Sequence, residues 1–202
     1  MEKNVIITIS RQFGSNGREI ARKLAEYLDI SYYNKQILEK IAVNMGVCAD
    51  FFKDQKQDEN GLFTIESKGL LGLRNITELS VNTQIYDMAS DFIQKISQRE
   101  DAVIVGRCAD YILKDNPDVI RLFFYAPLED CIRRVVDQNG ISAKEAEKKI
   151  AKIDKYRADY YKYYTGNAWN DARNYDFCLD TSSMSYEKLV AVVKDIIKIY
   201  QE

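Results

Sequence analysis

The chain has 202 residues, a formal net charge of −2, 46% hydrophobic and 30% charged residues, enough for one domain with a full core. The balanced charge argues against a broad surface for a nucleic-acid polymer or a membrane. Histidine is absent, which excludes Ser-His-Asp and Cys-His nucleophile systems, imidazole general bases and His-containing zinc sites.

In chain order, Met1–Val5 leads directly into Val5-Ile-Ile-Thr-Ile9, a β-branched run that suits a central strand buried on both faces. The start is too short for a secretory apolar region, and no stretch approaches the roughly 20 apolar residues of a membrane span. A cytoplasmic location is therefore expected, with the dispersed Cys48, Cys108, Cys131 and Cys178 as reduced thiols. Ser15–Leu28 carries a helical stripe of Ile20, Ala21, Leu24, Ala25 and Leu28. Ile30–Tyr33 reads as a short strand, and Asn34 as the cap of a helix over Lys35–Met45 ended by Gly46. Residues 48–75 read as an irregular insertion, followed by a long helix over Asn75–Gln98.

Ala102–Val105 and Asp118–Tyr125 are further buried-type strands, and Pro127 opens a helix at its first turn. Ser142 with Glu145 makes a capping box for a helix that continues to Tyr164. Phe177–Leu179 is a last strand and Ser185–Tyr200 a closing helix. This alternation predicts a parallel α/β sheet with helices on both faces, which binds ligands at the carboxyl ends of its strands. Residues 10–18, 106–110 and 125–134 fall at that edge.

Three segments could carry chemistry. Ser10-Arg-Gln-Phe-Gly-Ser-Asn-Gly-Arg-Glu-Ile20 joins a buried strand to a helix through Gly14, Ser15, Asn16, Gly17 and Arg18. Such a turn exposes amides and a helix N-terminus to an anion. Against the phosphate-loop pattern G-x-x-x-x-G-K-[ST], aligned on Gly17, Gln12 replaces the first glycine, Arg18 the lysine and Glu19 the hydroxyl. A plain strand-to-helix turn is the competing reading. Gly106-Arg107-Cys108-Ala109-Asp110 follows a strand, where a guanidinium suits a phosphate or a base edge; an Arg–Asp surface pair competes. Arg133 and Arg134 are adjacent on a helix, so at most one need face a site. Asp154 and Arg157 share a helix face, as an ion pair or as a base-reading pair. The tyrosines at 156, 160, 161, 163 and 164 favour packing over base stacking, and a homodimer through this helix or the long one is open.

The segments Ile7–Ile20, Tyr32–Lys35, Val103–Leu113, Asp118–Arg134, Asp154-x-x-Arg157 and Asn174–Glu187 together resemble the cytidylate kinase-like family, relatives of the P-loop nucleoside monophosphate kinases. Asn16 stands where the family usually has glycine, Asn34 where aspartate is typical, and Cys108 in place of the aspartate of Gly-Arg-Asp. The resemblance implies a single three-layer P-loop kinase-like domain over 1–202 with a five-stranded parallel sheet. It implies a helical acceptor-binding insertion at 34–100 and a helical lid at about 133–170. The implied reaction moves the ATP γ-phosphate to a monophosphate, CMP first, with Mg²⁺ bridging the donor phosphates. Gly14–Arg18 would hold the donor; Asn34, Arg107, Asp110, Asp154 and Arg157 the acceptor; and Arg18, Arg133 and Arg134 would be catalytic. Metal ligands are not assigned, because the usual hydroxyl is replaced by Glu19; Ser10, Ser15 or water would have to substitute. The alternatives are a nucleotide-binding regulator without turnover and a kinase for another small metabolite.

Overall fold

The computed structural model describes residues 4–34, 56–57, 63–64 and 74–201. Five parallel strands form one sheet: β1 (Ile6–Arg11), β2 (Ser31–Tyr33), β5 (Ala102–Val105), β6 (Val119–Tyr125) and β7 (Phe177–Asp180), in the order β2-β5-β1-β6-β7. A separate antiparallel pair, β3 (Lys56–Gln57) with β4 (Phe63–Thr64), falls in the run expected to be irregular. The helices are α1 (Gly17–Leu28), α2 (Arg74–Ser97), α3 (Ala109–Ile112), α4 (Leu128–Asn139), α5 (Ala143–Thr165) and α6 (Tyr186–Gln201). The helix expected over Lys35–Met45 lies outside the described residues.

β1 is central because both of its edges are taken: Ile6 pairs with Ala102 on one side and Val119 on the other. Its side chains accordingly go to two cores. Ile7 and Ile9 join Ile20 and Leu24 of α1 and Leu189 and Val193 of α6, whereas Ile6 faces Ile93 and Ile96 of α2. A strand buried on both faces needs an unbroken apolar run, and Ile6–Ile9 supplies one with only Thr8 polar. From β1 the chain passes to β2 on one side, and from β6 to β7 on the other. Adjacent strands whose connections diverge leave a crevice at their carboxyl ends.

Two boundaries differ from expectation in ways that matter. β1 runs two residues beyond Ile9, with Ser10 and Arg11 paired to Phe123 and Phe124 of β6. α1 starts at Gly17 rather than Ser15, because Gly14 (φ 81°) and Asn16 (φ 59°) are left-handed and cannot continue a helix backwards. The capping box forms as read: the Ser142 hydroxyl accepts from the Glu145 N–H, and the Glu145 carboxylate accepts from the Ser142 N–H at 2.9 Å.

Candidate active site

The turn from β1 to α1 is fastened at nearly every residue. The Gln12 N–H donates to the Phe124 carbonyl (3.0 Å), and its side-chain oxygen accepts from the Ala126 N–H (3.3 Å). The Phe13 N–H donates to the Asp154 carboxylate (2.8 Å), and Arg157 donates to the Arg11 carbonyl (2.9 Å). Arg134 reaches the Gly14 carbonyl (3.4 Å), and the Thr181 hydroxyl donates to the Ser15 carbonyl (2.7 Å). The Ser15 hydroxyl donates to the Gln12 carbonyl (2.9 Å) and accepts from the Gly17 N–H (3.3 Å). The loop is thus shaped before any ligand arrives. Asn16 provides no side-chain cap to α1; of that helix's first amides, the Gly17 N–H is taken by the Ser15 hydroxyl and the Glu19 N–H by the Asn16 carbonyl.

The turn opens into a cavity of 740 Å³ lined by Gly14, Asn16, Gly17, Arg18 and, from elsewhere, Tyr32, Asn34, Gln138, Asn139 and Tyr186. Arg11, Arg18, Arg22 and Arg157 also line it, against the single carboxylate among its described lining residues, that of Glu19, which is paired with Arg22. The volume suits a small ligand, and the charge suits an anion. A polyphosphate therefore fits these residues. The usual metal position fits less well: Glu19 is held by Arg22, and the Ser15 hydroxyl is used inside the loop. Among the described residues no group of three acidic, cysteine or histidine side chains is placed to hold a metal.

The residues read from sequence separate into groups. Gly14, Asn16, Gly17, Arg18, Asn34 and Arg157 come together around the cavity, whereas Ser15 is fully buried beneath it. Asp154 lies behind the loop, its carboxylate shared between the Phe13 N–H and Arg157 (3.1 Å). Burial raises its pKa and lowers that of Arg157, and their mutual attraction opposes both shifts. Arg134, expected to be catalytic, is held here by the loop and by the segment after β7. Its guanidinium is spent on the Thr181 carbonyl (2.7 Å), the Thr181 hydroxyl (3.1 Å) and Gly14. Arg133 points away, with a side chain 66% exposed and paired to Asp130 one turn back.

Arg107 donates to the Tyr160 hydroxyl (3.1 Å) with its charge 5.3 Å from that ring. Its backbone is left-handed, as are those of Gly106 and Cys108, so three consecutive residues carry φ of 79°, 57° and 56°. Two non-glycine residues in that region store strain that persists only where the surroundings enforce it, typically at functional sites. Asp110 is sealed among Tyr161, Cys108 and Tyr175 and accepts from the Tyr161 hydroxyl at 2.6 Å. Burial pushes its carboxyl up to about 6, against the pull of that hydrogen bond. The hydrogen bond ties the start of α3 to α5.

Arg11 was missed by sequence reasoning, which placed it within the loop that follows Ile9. As the last residue of β1 it lies beneath the cavity and between two glycines. A Cβ on Gly17 would stand 2.7 Å from Arg11 Cβ, and one on Gly106 would stand 3.0 Å from Arg11 Nη1. The available signal was the uninterrupted strand pattern from Ile6 to a terminal arginine, followed by a glycine turn.

A family model described as the cytidylate kinase-like family matches residues 6–183. The cytidylate kinase of Methanopyrus kandleri is 24% identical over 195 residues, spanning 96% of this chain and 93% of its own. That of Pyrococcus furiosus is 27% identical over 193 residues, spanning 96% and 88%. Among solved structures, an uncharacterized protein from Eubacterium ventriosum superposes with a TM-score of 0.72 at 28% identity, over 96% of this chain and 99% of the other. Shikimate kinase from Bacteroides thetaiotaomicron superposes at 0.54 with 12% identity, over 96% and 98%, a likeness of fold. The three-layer sheet is thus a P-loop kinase fold, and the chain belongs to the cytidylate kinase-like family.

Proposed function

We propose that the protein transfers the γ-phosphate of ATP to a nucleoside monophosphate, with CMP the first acceptor to test. The observation that carries this reading is the fastened β1–α1 turn, which opens into an arginine-lined cavity beside the strained Gly106–Cys108 turn. An acceptor phosphate oxygen attacks the γ-phosphorus as the bond to the β–γ bridging oxygen breaks. ADP leaves with that electron pair, and CMP becomes CDP. The protein's part is positioning and charge neutralisation.

In this reading the turn of residues 14–18, with Arg18, holds the donor, and Asn34 and Arg107 face the acceptor. Asp154 and Arg134 act through the loop they hold, and Arg157 does so while also lining the cavity. Residues 34–100 serve as the acceptor-binding insertion and about 133–170 as the lid. Mg²⁺ supplies charge neutralisation when bound to the donor phosphates, and few protein oxygens among the described residues are placed to share it. That scarcity favours, as second reading, a nucleotide-binding regulator without turnover.

Purified protein with ATP, Mg²⁺ and a panel of monophosphates, scored by ADP release, separates the two. Turnover on CMP supports the kinase reading. Saturable ATP binding with no turnover on any acceptor supports the regulator. Absence of binding to ATP and to every monophosphate overturns both.

A further inference from the structure

Arg11 presents a combination that the loop alone does not explain. Its Nε is closed off from solvent and has no hydrogen-bond partner among the described residues, and the Tyr32 hydroxyl in the same cavity wall is in the same position. Buried polar groups left unpaired are uncommon and costly, and these two belong to residues that line one cavity. The residue keeps partial exposure, through the cavity it lines. The neighbouring charges compound the cost. Burial, then Arg157 and Arg18, depress the Arg11 pKa, while Tyr32 and the single carboxylate of Asp154 oppose them. An arginine stays protonated in proteins, so Arg11 is a buried cation crowded by two others.

The surroundings are also cut to the shape of this side chain. Gly17 gives its stem room on the α1 side, and Gly106 gives its guanidinium room on the β5 side. Arg11 therefore reaches from the start of the phosphate turn to the turn that carries Arg107. Arg18, at the offset of the usual lysine, sits instead on the first turn of α1.

We propose that Arg11, assisted by the Tyr32 hydroxyl, is the principal phosphoryl-holding subsite of the cavity, placed where a phosphoryl group would lie between donor and acceptor turns. The guanidinium takes the place of both the lysine and part of the charge that a protein-held metal supplies. This rests on the nucleotide reading above for the identity of the anion, though not for its binding.

The test uses inorganic tripolyphosphate and ATP as probes, with affinities measured by calorimetry on the wild type and on Arg11→Gln, Arg11→Lys, Arg18→Gln and Tyr32→Phe. Loss of a charge-assisted hydrogen bond should weaken tripolyphosphate about 10- to 100-fold in Arg11→Gln, more than in Arg18→Gln. Tyr32→Phe should weaken it by a smaller factor, and Arg11→Lys should recover part of the loss. Unchanged affinity in Arg11→Gln, or a loss confined to Arg18→Gln, overturns the proposal. If Arg11→Gln does not fold, a wild-type crystal soaked in tripolyphosphate decides: a phosphate oxygen within hydrogen-bond distance of Arg11 supports it, and one seated elsewhere in the cavity overturns it. Arg11-dependent binding with no turnover on any acceptor would keep this subsite and sink the kinase reading. A wild type blind to tripolyphosphate would sink the subsite itself.

Discussion

Gly17 is helical and has no conformational need to be glycine; what it provides is space. An added methyl would overlap Arg11 Cβ at 2.7 Å and Phe124 Cβ at 3.0 Å, both anchored on adjacent strands. Gly17→Ala should therefore cost about 1–3 kcal/mol of stability through overpacking and weaken tripolyphosphate by moving Arg11. An unchanged denaturation midpoint would show that the strands yield easily. Asp110 makes a pH-dependent prediction. Its carboxyl titrates at about 6 in the fold against an ordinary 3.8, so the folded state binds its proton more tightly. That contribution is fully present below about pH 4 and is lost as pH rises through about 6. Asp110→Asn should remove it, so the variant's stability relative to wild type should rise by up to about 3 kcal/mol between pH 4 and pH 7. A difference that stays flat over this range would place the titration elsewhere.

At the level of elements, α4 and α5 hold the phosphate turn from behind, and the two adjacent arginines of α4 are divided between that turn and the solvent face. Arg134→Ala should cost about 1–3 kcal/mol, since Thr181 and Gly14 lose a charged donor in a part-buried setting. Arg133→Ala should stay within about 0.5 kcal/mol, because its ion pair with Asp130 is exposed and local. Chemical denaturation of the two variants side by side checks both, and equal losses would contradict the division. The same helices show what sequence could and could not disclose. The Ser142–Glu145 box and the Asp154–Arg157 pair were legible because their partners sit three residues apart. The partners that give Asp154 and Arg157 their purpose, the Phe13 N–H and the Arg11 carbonyl, lie 141 and 146 residues away. Adjacency of Arg133 and Arg134 implied that at most one need face a site, yet which one does is decided by Thr181, 47 residues on, and Gly14, 120 residues back.

For the whole molecule, the apolar strand runs and the positions of their carboxyl ends were readable because a doubly covered parallel sheet demands β-branched residues and places its loops on one edge. The site's principal cation was not, because whether Arg11 ends a strand or begins a loop depends on β6 pairing with it. Ligand binding should report on the assembled edge as one unit. A ligand bound only by the native state stabilises it by about 2.7 kcal/mol at a hundred times its dissociation constant. For a chain of this size that is a rise in melting temperature of about 5–11 °C. ATP and CMP should each produce such a rise, because the donor turn at Gly14–Arg18 and the Gly106–Cys108 turn follow different strands, β1 and β5. Arg107→Ala should abolish most of the CMP shift and leave the ATP shift, while Arg18→Ala should lower the ATP shift, by less than the loss of Arg11 does, and leave the CMP shift. Arg11→Lys should reduce the ATP shift, and the CMP shift as well, because its guanidinium lies between the two turns. If Arg107→Ala and Arg18→Ala instead lowered both shifts equally, the two turns would form one undivided anion site, and the separation of donor from acceptor would have to be abandoned.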